Sequence, residues 1–229
     1  MKIQFPSVEQ VGQRADEHGI VWVGGKLSVD NLQTAYSRGI FPWPHEGLPL
    51  LWFCPEDRGV INFSEFRVPR TIQKELRRAQ FKVTFDQCFE QVIEACSKQK
   101  RSGQRGTWIT PEMKTVYTEM FNAGLAHSVE CWSVGNSGTG SVLVGGLYGV
   151  YIKGVFSGES MFHTQTAASK QCVVALVEAL SKMGHEWFDI QMVTPVLESF
   201  GGSYMERKEY LARLQKTQDK KILWRMDEN

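Results

Sequence analysis

The chain has 229 residues, 42% hydrophobic and 22% charged, as expected for a globular protein of one large domain or a small domain packed on a larger one. Its net charge of +1 identifies no partner, and no apolar run reaches the roughly 18 residues that a membrane helix needs. Glu178 and Lys182 interrupt the best candidate run, and Pro6 and Glu9 stand where a signal peptide would carry its apolar core.

The five cysteines are scattered, odd in number and without a CxxC pair. This pattern argues against a disulfide framework and against a zinc site, and it favours the reducing cytoplasm. We expect each of them to be a small buried apolar residue and not a nucleophile. They are Cys54, Cys88, Cys96, Cys131 and Cys172.

The first part of the chain is rich in glycine, aromatic residues and proline. It predicts one short helix, which Ser28 can cap and Gly39 can end. Pro42, Pro44 and Pro55 exclude long regular elements after that helix. We therefore predict a small N-terminal lobe over residues 1–58, followed by a larger domain over residues 59–229.

The larger domain begins with a linker strand over 59–66, and a basic helix follows Pro69. Strands then lead into helices, and an apolar helix after Thr166 is followed by a late strand and a final helix. Strands first, then a helix, then a strand describe an α+β, acyltransferase-like core with a mostly antiparallel sheet. The predicted elements are a strand over 81–85, helices over 86–100 and 111–124, strands within 127–134 and 141–162 with turns at 136–140 and 152–154, a strand over 187–193 and a helix over 206–216.

Positive charge concentrates between Arg67 and Arg105, where ten basic and four acidic residues give +6 and leave −5 for the rest of the chain. The helix after Pro69 places several of these cations on one side, at i, i+4, i+7 and i+8. The pattern indicates either a patch that faces a polyanion or a plain surface helix. The four cations are Arg70, Lys74, Arg77 and Arg78.

The late strand over 187–193 carries a carboxylate and an amide, Asp189 and Gln191, on the same face. Burying the pair is costly unless both groups are hydrogen-bonded or used. The strand contains no Lys or Arg, so any neutralising partner must come from elsewhere in the fold. Asp189 either has a structural role, capping a neighbouring loop, or belongs with Gln191 to a site that holds a polar reacting group.

Glu159 lies between apolar residues in a predicted strand, so it needs a partner, and a ligand amine or a turn cap would both serve. Gly145, Gly146 and Gly149 leave room for a ligand or for another backbone. P-loop, GxGxxG, HExxH and GxSxG motifs are all missing from the sequence. We expect the chain to need no nucleotide triphosphate, nicotinamide, metal or other cofactor.

Several aromatic residues are predicted in or beside loops and not on core faces. Tryptophans on loops next to a basic patch suggest base stacking, and this is our interpretation of Trp43 and Trp108. For Trp52 we favour packing between the lobes. The full set is Tyr36, Trp43, Trp52, Phe53, Trp108 and Tyr117.

Seven blocks of the sequence, from about residue 19 to residue 210, are similar in order and spacing to the bacterial leucyl/phenylalanyl-tRNA–protein transferases. They are AYSRGIFPWP, LLWFCPEDRGVI, GTWIT, AHSVE, VGGLYGVYIKGVFSGESMF, AASK and FDIQ. The resemblance implies a GNAT-like acyltransferase domain that moves Leu or Phe, and sometimes Met, from aminoacyl-tRNA to the α-amine of a protein beginning with Arg or Lys. The product is marked for degradation. The implied partners include neither DNA nor a membrane.

The same resemblance implies a role for individual residues. Asp189 and Gln191 match the pair assigned to the chemistry. Our own hypothesis is that the Gln191 side-chain carbonyl accepts a hydrogen bond from the attacking amine, and that Asp189 orients the amine or the amide network and favours positive charge on the nitrogen. Trp43 and Trp108 match the residues that hold the terminal adenosine of the tRNA, and Tyr36 and Tyr117 match residues of the same cleft. The aminoacyl pocket would consist of Leu147, Phe156, Glu159, Leu176 and Leu180, and the acceptor stem would meet Arg70, Lys74, Arg77 and Arg78.

Two positions depart from the family pattern. Val196 stands where the family commonly has a histidine, and Lys26 replaces an acidic residue. Two other functions therefore stay open: a catalytically weakened module that binds tRNA or peptide, and a GNAT-type N-acetyltransferase. The second lacks its pyrophosphate loop, Q/RxxGxG/A, in this sequence.

Overall fold

The computed structural model describes residues 2–99, 107–133 and 141–225. Lys100, Arg101, Arg105 and the predicted turn over 136–140 lie outside the described residues. The helices are α1 (Val8–Arg14), α2 (Val29–Tyr36), α3 (Arg70–Ala79), α4 (Phe89–Lys98), α5 (Pro111–Asn122), α6 (Ala168–Lys182), α7 (Pro195–Ser199) and α8 (Arg207–Asp219). The strands are β1 (Ile20–Val23), β2 (Phe41–Trp43), β3 (Leu51–Phe53), β4 (Asp57–Asn62), β5 (Lys82–Phe85), β6 (Ala126–Ser133), β7 (Val142–Ile152), β8 (Val155–His163), β9 (Trp187–Gln191) and β10 (Gly202–Glu206).

The strands form two sheets. A three-stranded antiparallel sheet has the order β1-β3-β2, and a seven-stranded sheet has the order β10-β4-β9-β8-β7-β6-β5. In the large sheet β8 and β9 run parallel, and the other neighbouring pairs are antiparallel. The predicted α+β class with a mostly antiparallel sheet is therefore confirmed.

The contact between β8 and β9 is short, and it determines where the site lies. One register pair, Ser157 with Asp189, joins the two strands within the described chain. Beyond it β8 continues to His163 along β7, whereas β9 ends at Gln191. The sheet is thus open between the ends of the two strands, and side chains from both of its faces can reach the gap.

Apolar side chains pack on both faces of the large sheet. One face packs against the N-terminal sheet, α2, α4, α5 and α8, and the other packs mainly against α6. Helix α6 buries a stripe at i, i+4, i+8 and i+12, formed by Ala168, Cys172, Leu176 and Leu180. A Cβ at Gly145 would lie 2.5 Å from the Ala168 Cβ, so the close approach at this glycine comes from α6.

Four of the five cysteines are buried, Cys88 is half-buried, and all five are free thiols. The expectation of small buried residues is confirmed for those four. Within the described ranges, no helix combines the length and the apolarity that crossing a bilayer requires.

The structure differs from the predicted elements at several points. The segment predicted as a linker strand is β4, which lies inside the large sheet between β10 and β9. Strands β1, β2, β3 and β10 and helices α1 and α7 were not predicted. Each is seven residues or shorter and shows few periods of its pattern, although β5, with four residues, was predicted. The division at residue 58 stays a prediction.

Two aromatic residues expected near loops lie on helices instead. Tyr36 is the last residue of α2, and Tyr117 lies within α5. Both are buried, because their rings join the core while their hydroxyls reach the site. The helix expected over 86–100 begins at Phe89, since Asp86 has a left-handed backbone with φ 57° and its carboxylate accepts the Ser128 N–H.

Candidate active site

The site is organised around Asp189, which is completely buried in β9. Its carboxylate accepts two hydrogen bonds from Arg58, at 2.8 Å from Nε and 2.7 Å from Nη2. The hydroxyls of Ser157 and Tyr210 donate to the same carboxylate at 2.9 and 3.2 Å. Strand β9 has no cation of its own, and Arg58 on the neighbouring strand β4 supplies the partner of Asp189.

Arg58 is as deeply buried as its partner, with 1% of its surface exposed. Its guanidinium lies between two aromatic rings, 4.6 Å from the centre of Phe41 and 4.7 Å from that of Tyr210, and Nη1 donates to the Gly39 carbonyl. Burial lowers the pKa of Arg58, but the Asp189 carboxylate raises it by more than burial lowers it. The pKa of Arg58 therefore lies above the ordinary value. Arg58 and Asp189 therefore form a buried, charge-assisted pair that is bidentate on the carboxylate.

Gln191 ends β9 in an unusual backbone conformation, with a left-handed φ of 53°. A non-glycine residue in this region is strained and persists where surrounding contacts hold it. The contact here is with Asp189, whose Oδ1 accepts the Gln191 N–H at 3.0 Å. Asp189 thus fixes the direction in which the Gln191 side chain leaves the strand.

The Gln191 side chain points toward Glu159 on β8, where its Nε2 donates to Oε1 at 2.8 Å. Ser157 and Glu159 stand two residues apart on one face of β8, and they contact Asp189 and Gln191 respectively. The predicted placement of Asp189 and Gln191 on one face agrees with these contacts. With Nε2 engaged by a carboxylate, the amide presents its Oε1 as an acceptor.

Glu159 connects the amide to two tyrosines. It accepts from Tyr36 at 2.7 Å and from Tyr117 at 3.2 Å, and the two phenol oxygens are 2.6 Å apart. Burial raises the pKa of Glu159 to about 7, although the hydrogen bond from Tyr36 lowers it. Glu159 can therefore gain or lose a proton near neutral pH.

A cavity of about 630 Å³ opens beside this network and is lined by side chains from both faces of the split sheet. Among the described residues on its wall, Glu159 alone carries a carboxyl group. Of the predicted pocket residues, Leu147, Phe156, Glu159 and Leu176 line the cavity, whereas Leu180 is buried in the core nearby. The wall residues that the prediction missed include Met161, Val173, Phe188, Ile190, Met192 and Val196.

Both tryptophans that were predicted to stack on a base lie on the cavity wall. Trp43 belongs to β2 and Trp108 precedes α5, so two distant segments place indoles at one opening. Trp52, by contrast, is completely buried in the core and donates from its indole to the Gly24 carbonyl at 3.0 Å. Trp52 contacts Phe5 and Gly24, both within the first 58 residues, and the stacking of a base on Trp43 and Trp108 stays a prediction.

The four predicted cations on α3 are all exposed, and none of them forms an ion pair within the described part of the chain. Ile72 is buried beneath them and anchors the helix to the core. Glu75, on the same helix, pairs at 3.0 Å with Lys170, whose side chain lines the cavity. The four cations therefore lie on a helix that contacts one residue of the cavity wall.

Arg58 is the main residue of the site that the sequence interpretation did not identify. It follows a proline and two acidic residues and looks like a solvent-exposed turn residue. The sequence did indicate that such a cation was needed, because the Asp189 carboxylate lies in an apolar strand and requires a positive partner. The sequence could not indicate which of the 26 basic side chains would supply it.

Comparisons with known proteins place the chain in a family. The family model for leucyl/phenylalanyl-tRNA protein transferase matches residues 60–215, and the model for the N-terminal domain of that transferase matches residues 25–56. The curated transferase of Oleidesulfovibrio alaskensis is 45% identical over 93% of this chain and 84% of its own length, and that of Pseudoalteromonas translucida is 41% identical over 96% and 89%. That of Christiangramia forsetii is 45% identical over 86% and 91%. The chain belongs to the leucyl/phenylalanyl-tRNA protein transferase family.

Proposed function

We propose that this enzyme transfers leucine or phenylalanine, and also methionine, from aminoacyl-tRNA to the α-amine of proteins beginning with Arg or Lys, marking them for degradation in the cytoplasm. The observation that carries the proposal is the chain of contacts from Arg58 through Asp189 and Gln191 to Glu159. It holds an amide and a carboxylate on the wall of an apolar cavity. An acyl transfer from an activated ester needs such a positioning site and no covalent nucleophile.

The apolar end of the cavity is the proposed site of the aminoacyl side chain. Leu147, Phe156 and Leu176 line it together with Phe188 and Ile190. These side chains offer no hydrogen-bonding group to a substrate side chain, so shape decides which amino acid fits. An apolar pocket discriminates by about 1–3 kcal/mol per methylene, which is why we include methionine beside leucine and phenylalanine.

The terminal adenosine of the tRNA is proposed to lie between Trp43 and Trp108. Stacking of one base on an indole contributes about 1–3 kcal/mol and is indifferent to sequence. The acceptor stem would continue along α3, where Arg70, Lys74 and Arg77 can neutralise phosphates. The proposal involves neither DNA nor a membrane surface.

In the proposed reaction the acceptor amine attacks the ester carbonyl carbon of the aminoacyl group. A C–N bond forms, the C–O bond to the ribose breaks, and the ribose oxygen takes up the proton that the amine loses. The Gln191 Oε1 accepts a hydrogen bond from the attacking amine, and Glu159 holds the amide in that orientation. An amide is too weak a base to remove the proton, so Gln191 positions the amine.

Asp189 has a different part in this proposal from Gln191. It is completely buried, and it is not among the described residues on the cavity wall. It acts through the Gln191 N–H that it accepts at 3.0 Å, and so it is a positioning residue. Its charge is balanced by Arg58, which leaves the Glu159 carboxylate to favour positive charge on the attacking nitrogen.

The test is to incubate the protein with labelled leucyl-tRNA and a peptide beginning with Arg, and to follow the label into the peptide. Transfer that requires the N-terminal Arg supports the proposal. Val196, on the cavity wall where the family commonly has a histidine, favours a weakened binding module as the second candidate. Binding of tRNA without transfer would support that module, and transfer from acetyl-CoA alone would support an acetyltransferase.

A further inference from the structure

The segment after α8 runs back to the large sheet, and Trp224, near its last described residue, packs beside Phe156 of the cavity wall. Its backbone passes the turn between β7 and β8, where the Tyr151 hydroxyl donates to the Ile222 carbonyl at 3.1 Å. Three residues after Lys221, the Trp224 side chain is half-buried and packs on the apolar cluster between the sheet and α6. This C-terminal segment is therefore part of the packed structure.

Several polar and aromatic contacts fix the Trp224 ring. Its Nε1 donates to Asp86 at 3.1 Å, and its ring stacks on His127 with centres 3.9 Å apart and planes 16° from parallel. His127 is itself held by Asp86, at 2.8 Å from Nδ1 to the carboxylate. Tyr151 adds an edge contact at 5.2 Å. Residues of β6, β7 and the β5–α4 connection thus converge on one indole.

The other neighbour of Trp224 is Phe156, one of the residues on the cavity wall. The two rings are nearly parallel at 21°, with centres 5.8 Å apart. Phe156 is 1% exposed and also contacts Phe188, a second wall residue, at 6.2 Å. Trp224 itself is not among the described residues on the wall. It therefore supports Phe156 from behind.

We propose that Trp224 is a specificity-determining positioning residue, which holds Phe156 against the aminoacyl pocket and so limits the size of the side chain that the enzyme accepts. The inference rests on the proposed function, because it concerns the donor pocket of that reaction. A ring that cannot retreat gives the pocket a fixed depth, since close-packed interiors resist displacement. Removing the indole gives Phe156 room to move back and deepens the pocket.

The experiment compares transfer from tRNA charged with leucine, phenylalanine, methionine and tryptophan to a peptide beginning with Arg. In Trp224→Ala and in the milder Trp224→Leu we expect the tryptophan-to-leucine ratio of kcat/KM to rise at least fivefold. Trp224→Phe restores a ring behind Phe156 and should return the ratio to within twofold of the wild type. Leu223→Ala, whose side chain is 64% exposed in the same segment, serves as the matched control and should leave the ratio unchanged.

The outcomes separate this inference from the proposed function. If the wild type transfers leucine and the ratio stays within twofold in both Trp224→Ala and Trp224→Leu, the inference is overturned and the proposed function stands. A uniform fall in activity for all four amino acids, together with a lower melting temperature, would likewise overturn it, because a purely structural role predicts that result. If the wild type transfers no amino acid from any tRNA, both proposals fail.

Discussion

Replacing Asp189 by alanine should destabilise the fold and lower the rate of transfer together. The substitution leaves the Arg58 guanidinium, 1% exposed, without its carboxylate in a space closed by two aromatic rings. Removing one partner of a buried ion pair costs about 3–5 kcal/mol. In a protein of this size each kcal/mol lowers the melting temperature by roughly 2–4 °C, so a fall of about 6–20 °C is expected.

Two further variants separate stability from positioning. Ser157→Ala removes one hydrogen bond from the same carboxylate and should cost only about 1 kcal/mol. Gln191→Ala keeps the Arg58–Asp189 pair intact and loses a single side-chain hydrogen bond, to Glu159. Gln191→Ala should therefore lower turnover sharply while its melting temperature stays within about 2–4 °C of the wild type.

Thermal melts and single-turnover transfer from leucyl-tRNA measure both effects on the same preparations. An Asp189→Ala variant that melts within about 2 °C of the wild type would refute the reasoning that this substitution leaves Arg58 as a buried, unpaired charge. A Gln191→Ala variant that loses activity only in proportion to its stability would show that the amide is structural. An Asp189–Arg58 double-mutant cycle should give a coupling energy of several kcal/mol, since each single variant leaves the other charge unpaired.

Three more predictions concern the other parts of the site. Burial raises the pKa of Glu159 to about 7 from an ordinary 4.5, so the folded protein binds this proton more tightly than the unfolded chain does. The melting temperature of the wild type relative to Glu159→Gln should therefore fall as the pH rises from about 4.5 to 7, and a constant difference would contradict the shift. Trp43→Ala should raise KM for aminoacyl-tRNA by roughly 5–150-fold with little effect on KM for the peptide, whereas Trp22→Ala, on the exposed face of β1, should change neither. Replacing Lys74 and Arg77 together by alanine should weaken tRNA binding and reduce the slope of log affinity against log salt by about 2. The matched control replaces Lys208 and Lys216, the exposed lysines of α8, and should leave that slope unchanged.

The alternation of β9 was predictable because it is local. A period of two places Asp189 and Gln191 together whatever packs against the strand, and the contacts with Ser157 and Glu159 agree with it. The amphipathic pattern of α6 is local in the same sense. Elements with a strong period and enough residues to display it were identified for this reason.

Contacts across long sequence separations were not predictable. Arg58 and Asp189 are 131 positions apart, and their meeting depends on β4 lying beside β9 in the sheet. Strand order is set by the whole chain, so the linker interpretation of β4 could not reveal it. The left-handed turn at Gln191 is a second example, because glutamine carries no preference for that conformation. It is held by the Asp189 carboxylate, which accepts the Gln191 N–H, and by a backbone hydrogen bond from Met192 to the Ile190 carbonyl.

The ion pair with Arg58 and the left-handed backbone of Gln191 separate the surroundings of Asp189 from those of Gln191. The sequence leaves open whether the carboxylate is structural or functional, and the mechanism we propose divides the two roles between Asp189 and Gln191. The Asp189 carboxylate pairs with Arg58 and also accepts the Gln191 N–H, so it supports the end of β9 from inside the core. The Gln191 side chain lies on the cavity wall, where its amide donates to Glu159 and is thereby oriented. In the proposed reaction an amide is a weak acceptor, so it helps only if it is already in position when the amine arrives. The buried ion pair behind Gln191 is proposed to hold it there.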